Sequence, residues 1–219
     1  MTGFKRAFCE TTMLLAALTL ARPTAAAPTP HSDPEHEVSP QILEQKMQQA
    51  RDGKVDQVFA SFLAVQTQLK MGARQYDAAV RTAEPLVQYS EIIYGPNDTK
   101  TAAALETLAD VYCNLDRCGE GIPLIERAST IYRAGGPAEQ PAFVRTLNSL
   151  GAAWLREGKP DRAESTLKQS LEVSQARFGS ESREVGVVCL LLSAAYSAEG
   201  KTAEASANRE RGRRLIAGR

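Results

Sequence analysis

The sequence predicts an all-α protein, a solenoid of antiparallel helix hairpins, and three observations carry that prediction. The first is a four-position pattern: a leucine-type residue, a second three later, a small residue next, and an aromatic three after that. It occurs as Leu105, Leu108, Ala109, Tyr112, then Leu147, Leu150, Gly151, Trp154, then Cys189, Leu192, Ser193, Tyr196. Leu108, Leu150 and Leu192 stand 42 residues apart, with no gaps needed. The second is a set of turn dipeptides in constant register, Asp116-Arg117, Gly158-Lys159 and Gly200-Lys201. The third is negative: no stretch alternates apolar and polar residues for long, and alanine is abundant, so sheet is not expected.

Composition sets the frame. At 219 residues the chain suits one sizeable domain, and its 43% hydrophobic content excludes global disorder. Lys and Arg total 26 against 26 Asp and Glu. That balance argues against a nucleic-acid partner held by phosphate attraction.

Residues 1–26 read as a signal peptide. Lys5 and Arg6 form a short positive region, Met13 to Ala21 is an apolar run, and small residues follow from Thr24 to Ala27. Pro28 blocks cleavage after Ala27, which places the cut after Ala26 and the mature protein outside the cytoplasm, periplasmic or secreted. A mitochondrial-type presequence or an uncleaved anchor is the competing reading, because Glu10 interrupts the basic-to-apolar order. The apolar run is short for a hydrocarbon core of ~30 Å. Residues 27–39 are Pro-rich and acidic, a flexible linker that also holds both histidines, His31 and His36. No fold fixes them there as metal ligands, so no metal is expected.

Ser39 before Pro40 starts the first helix: a capping hydroxyl, then a proline whose missing N–H costs nothing. Ile42, Leu43 and Met47 give it a short apolar stripe that ends near Gly53. A second helix is expected from about Val55 to Met71, with Val58, Phe59, Phe62, Val65 and Leu69 as its buried stripe and Gly72 as its breaker. A third runs from about Gln75 to Tyr94 and closes at Gly95-Pro96. These two form a degenerate copy of the repeat, about residues 54–95, with Gln66 where the next copy has Leu108. Three good copies occupy about residues 99–216, and the helical domain as a whole spans 40–219.

In each good copy the leucine pair and the aromatic fall on one face of the first helix. The small residue beside them (Ala109, Gly151, Ser193) lets the second helix approach, where the counterpart is also small: Gly121, Ala163 and Ala205. A lone hairpin leaves part of its leucine face exposed, so neighbours must stack on it. The last helix carries Arg209, Arg211, Arg213 and Arg214. It reads as a polar cap on the stack, with an anionic-membrane or nucleic-acid patch as the alternative.

No catalytic constellation is present. The helical domain has no histidine to serve as a base or zinc ligand, and no Gly-rich phosphate loop. Catalysis and a cofactor are therefore not expected. Cys113 and Cys118 flank the turn of one hairpin and could bridge in an oxidising compartment, unless helix geometry holds their Cα atoms beyond about 7 Å. Cys189 stands at the Leu105 and Leu147 position and reads as a buried thiol.

These motifs resemble the tetratricopeptide repeat, in the long variety typified by kinesin light chain. The family's ordinary period is about 34, and the added length here preserves the facing of the stripes. The junctions Tyr94-Gly95-Pro96-Asn97-Asp98 and Phe178-Gly179-Ser180-Glu181 resemble the connections between those long repeats. The resemblance covers about residues 74–216 well and 54–73 weakly. It implies a right-handed superhelical solenoid that binds a protein or peptide in a concave groove lined by first helices. The groove positions it implies are Glu106, Asp110, Cys113 and Asn114, then Arg145, Asn148, Ala152 and Arg156, then Val187, Leu190, Ala194 and Ser197. Asn148 offers both a donor and an acceptor to a peptide backbone. The Lys, Arg and Asn set by which some members clamp a C-terminal carboxylate is absent. The alternative function is a structural part of an envelope assembly, acting by self-association or by membrane attachment through the arginine-rich helix.

Overall fold

The computed structural model describes residues 38–218. The expected signal peptide and most of the expected linker, with both histidines, lie outside the described residues. The chain from Ser39 onward forms one compact unit. In order it contains α1 (Pro40–Arg51), α2 (Gln57–Gly72), α3 (Tyr76–Tyr94), α4 (Thr99–Asn114), α5 (Cys118–Ala134), a short 3-10 turn (Pro137–Glu139), α6 (Gln140–Arg156), α7 (Pro160–Phe178), α8 (Arg183–Ala198) and α9 (Thr202–Ala217). Consecutive helices pack on one another from α2 to α9, an all-α right-handed superhelical solenoid of antiparallel hairpins.

Two devices set the hairpins. Several first helices begin at side-chain caps: Asp56 accepts from the Phe59 N–H at 3.1 Å, Asp98 from Lys100 at 2.8 Å, and Ser182 from Val185 at 3.3 Å. Such caps satisfy N–H groups that the helix itself cannot. The turns inside the hairpins use a left-handed residue at Arg74, Asp116, Gly158 and Gly200, with φ of 57°, 58°, 67° and 78°. The next N–H in each case returns to a carbonyl of the helix just ended: Gln75 to Lys70, Arg117 to Tyr112, Lys159 to Trp154, Lys201 to Tyr196, at 2.8 to 2.9 Å. The worn first hairpin thus keeps the same turn in the same register. Gly72 is not its breaker: it is the last residue of α2, and Arg74 makes the turn.

The leucine pattern forms the core. Leu105, Leu108, Leu147, Leu150, Cys189 and Leu192 are all buried, with Trp154 and Tyr196 beside them. Small residues admit the second helices. A Cβ added to Gly121 would lie 2.9 Å from the Ala109 carbonyl oxygen, and one on Gly151 would lie 2.5 Å from Leu167 Cγ. Each repeat aromatic is also covered by the cation that follows the turn: Arg117 on Tyr112, Lys159 and Arg162 on Trp154, Lys201 on Tyr196, at 4.8 to 5.6 Å.

The buried face of α2 is not the expected one. Phe59 is buried as expected, but its companions are Ala60, Leu63 and Thr67. Val58, Phe62, Val65 and Leu69 are exposed instead. Leu63 stands 42 residues before Leu105, so the worn helix keeps the repeat's facing despite its different apolar pattern. Its core contact is partly polar: the Thr67 and Thr82 hydroxyls meet at 2.8 Å, and the Phe59 ring meets Tyr89 edge-on at 5.1 Å.

Candidate partner-binding face

A common solvent face runs along the first helices of the three good hairpins, at one register. On α4 it presents Ala103, Thr107, Asp110 and Asn114, on α6 Arg145, Ser149, Ala152 and Arg156, and on α8 Val187, Leu191, Ala194 and Ala198. All are exposed or half-buried; α6 packs against α8, which makes their two rows neighbours, and the Thr146 hydroxyl of α6 bonds Glu106 of α4. The face changes along its length, from an acidic and amide end on α4, through arginines on α6, to small and aliphatic residues on α8. Asp110 touches solvent, yet surrounding protein raises its pKa above the ordinary carboxylate value. The nearby charge of Glu106 adds to that rise. The Asn114 amide donates to the Asp110 carbonyl at 2.8 Å.

Four of the expected groove residues are placed differently, among them Cys113, which is buried and joined to Cys118. Glu106 accepts from the Tyr132 hydroxyl of α5 at 3.2 Å and from the Thr146 hydroxyl of α6. Burial, then the Glu106 carboxylate, push the Tyr132 phenol well above its ordinary pKa. Asn148 accepts from the Ser170 hydroxyl of α7 at 2.7 Å, which ties its side chain into its own hairpin. Leu190 occupies the same register in α8 and abuts Gly212 of α9. This register faces the second helix of the hairpin, because there the chain needs a packing contact. Asp110, Asn114, Arg145 and Arg156 remain on the open face.

Sequence reasoning missed a cleft of about 330 Å³ beside α2, α3 and α4. Ala60, Ala64, Ala103 and Thr107 line it together with Leu86 and Tyr94, and Lys100 Nζ lies 4.2 Å from the Tyr94 ring centre. The run Ala102-Ala103-Ala104 was the available signal, but its partner row lies on the worn helix. Cys113 and Cys118 are joined across the α4–α5 turn with Cα atoms 4.2 Å apart, well inside the reach of a bridge. Cys189 is buried and free, and burial raises its thiol pKa. Among the described residues, no helix is long and apolar enough to cross a membrane.

Residues 144–184, from α6 to the start of α8, match the family model of the tetratricopeptide repeat. That segment is a tetratricopeptide repeat. The chain is 30% identical over 96 residues to Protein KINESIN LIGHT CHAIN-RELATED 1 of Arabidopsis thaliana, a match covering 43% of this chain and 16% of that protein. It thus spans a small part of that relative's length. Among solved structures it is similar to the Podosopora anserina kinesin light chain nearly identical TPR-like repeats, at 20% identity and a TM-score of 0.62, covering 80% of this chain and 93% of that one. It is also similar to BtubC (BKLC) from P. vanneervenii, at 18% identity and a TM-score of 0.66, covering 81% and 72%. At these identities the structures show the fold. Tetratricopeptide repeats are protein–protein interaction modules, and in general non-catalytic scaffolds.

Proposed function

We propose that this protein is an exported, non-catalytic adaptor that binds an extended segment of a partner protein in a groove formed by the first helices of its tetratricopeptide repeats. One observation carries the reading: α4, α6 and α8 offer solvent-accessible side chains at one register, small ones such as Ala103, Ala152 and Ala194 beside charged Asp110, Arg145 and Arg156. Arg145 and Arg156 favour carboxylates on the bound segment, and Val187 and Leu191 favour an apolar side chain beyond them. Glu106 and Asn148 shape the wall through Tyr132, Thr146 and Ser170. Lys5 to Ala26 supports export, and the Cys113–Cys118 pairing fits an oxidising compartment.

Two of the four arginines of the last helix bond back to the stack, which supports a capping role over membrane attachment. Arg211 donates to the Ser180 carbonyl at 2.9 Å and Arg209 to the Ser197 hydroxyl at 3.3 Å. Arg127 donates to the Pro96 carbonyl at 2.9 Å, two repeats earlier in the same register. The test is a capture experiment from envelope extract, comparing the parent with an Arg145→Glu, Arg156→Glu double variant. The expected result is a partner held by the parent and lost, by tenfold or more, from a variant with unchanged helical signal. Equal capture by both proteins would remove the groove assignment.

A further inference from the structure

The open end of the stack at α2 carries an apolar seam that overlaps the groove register only at Val65, the counterpart of Thr107, Ser149 and Leu191. Val55, just before α2, and Val58, Phe62, Val65 and Leu69 follow one another at alternating spacings of three and four, the period of a coiled-coil face. All five are exposed, Val58 at 77% and Leu69 at 62%, and they are most of the exposed large hydrophobics among the described residues. Two of the five, Phe62 and Leu69, have counterparts that are buried in every later repeat. Ala104, Thr146 and Val188 stand at the Phe62 register and Val111, Ala153 and Ala195 at the Leu69 register, and every one is buried, at 4% or less. Those positions are where a first helix meets the preceding hairpin. In α2 the stacking face is left open and carries larger side chains than the copies that are covered. α1 does not take the missing place: it packs on α3 and reaches the start of α2 through Lys46, which pairs with Asp56 at 2.6 Å.

We propose that a second copy of this chain covers the seam, giving a two-fold dimer in which α2 packs against α2. Three features choose that occupant. The opposite end of the stack cannot serve head-to-tail, because one face of α9 carries Ser206, Arg209, Glu210, Arg213 and Arg214. The flanks along the helical part of the seam, Ser61, Gln66 and Gln68, are uncharged, and Lys54 is the charge beside its first residue, so two copies meet with little like-charge repulsion along α2. The five side chains expose on the order of 500 Å² per copy, so a symmetric pair removes about 1,000 Å², the lower end of the range for specific association.

The experiment is sedimentation equilibrium of the full chain from about 1 to 100 µM, beside a Val58→Glu, Leu69→Glu double variant. The expected result is a concentration-dependent shift to twice the mass of one chain in the parent, and a monomer throughout for the variant with the same circular dichroism. Val65→Gln serves where the double change unfolds the chain, and it is expected to weaken the dimer about tenfold. A parent that stays monomeric overturns the proposal. So does a dimer that survives the substitutions unchanged.

Discussion

Glu164 on α7 holds two lysines at once, Lys168 at 2.5 Å on its own helix and Lys201 at 2.7 Å in the last hairpin turn, where Lys201 also meets Glu199 at 2.5 Å. The Lys168 and Lys201 bonds pull its pKa down to about 2 from the ordinary 4.5. A carboxyl with a depressed folded pKa adds stability that is complete above the unfolded pKa and is lost as pH falls through the folded one. Glu164→Gln is therefore expected to cost about 1 kcal/mol at pH 7. The cost should shrink between pH 4.5 and about 2. Urea denaturation of parent and variant across that range measures it, and a pH-independent difference would contradict the assignment. At this scale the sequence was legible where register alone decides facing: Leu105, Leu147, Cys189 and the aromatics stand where the pattern puts them. It was not legible for Glu106 and Asn148. Whether a half-polar register meets solvent or a hydroxyl on the neighbouring helix depends on Tyr132, Thr146 and Ser170, which lie far off in sequence.

The hairpin is the next unit, and the bridge between Cys113 and Cys118 spans one of its turns. A loop this short constrains the unfolded chain only modestly, so the pair Cys113→Ser, Cys118→Ser is expected to lose about 2 kcal/mol. Reductant should lower the parent's unfolding free energy by a similar amount and leave the double variant unmoved. A parent indifferent to reductant would mean that the thiols are not paired in the purified protein. Helix positions and turns were readable because a cap or a left-handed residue marks them locally. The face of α2 was misread for a physical reason. Its most apolar stripe has a coiled-coil period, whereas its packed stripe is Phe59, Ala60, Leu63 and Thr67, small and partly polar and set by the repeat's register. Hydrophobicity pointed to one face and the 42-residue register to the other, and the register prevailed. The Arg74 turn stayed hidden because a left-handed arginine carries no glycine signal.

Over the whole molecule the two ends of the stack differ: an apolar seam opens at α2, and a polar, arginine-tied helix closes the stack at α9. Between them the first helices present the face assigned to partner binding. A repeat period shows how hairpins stack, so the architecture was legible from the chain alone. It carries no record of the bound segment, which depends on a few exposed side chains that stacking does not constrain. The central claim is that a partner lies along this face. The most direct measurement is photocrosslinking in extract from a benzophenone side chain placed at Ala152, in the middle of the α6 row, compared with one at Thr130, exposed on α5. The account predicts a discrete partner adduct from position 152 and none from position 130. An adduct from position 130 alone, or equally from both positions, would contradict it.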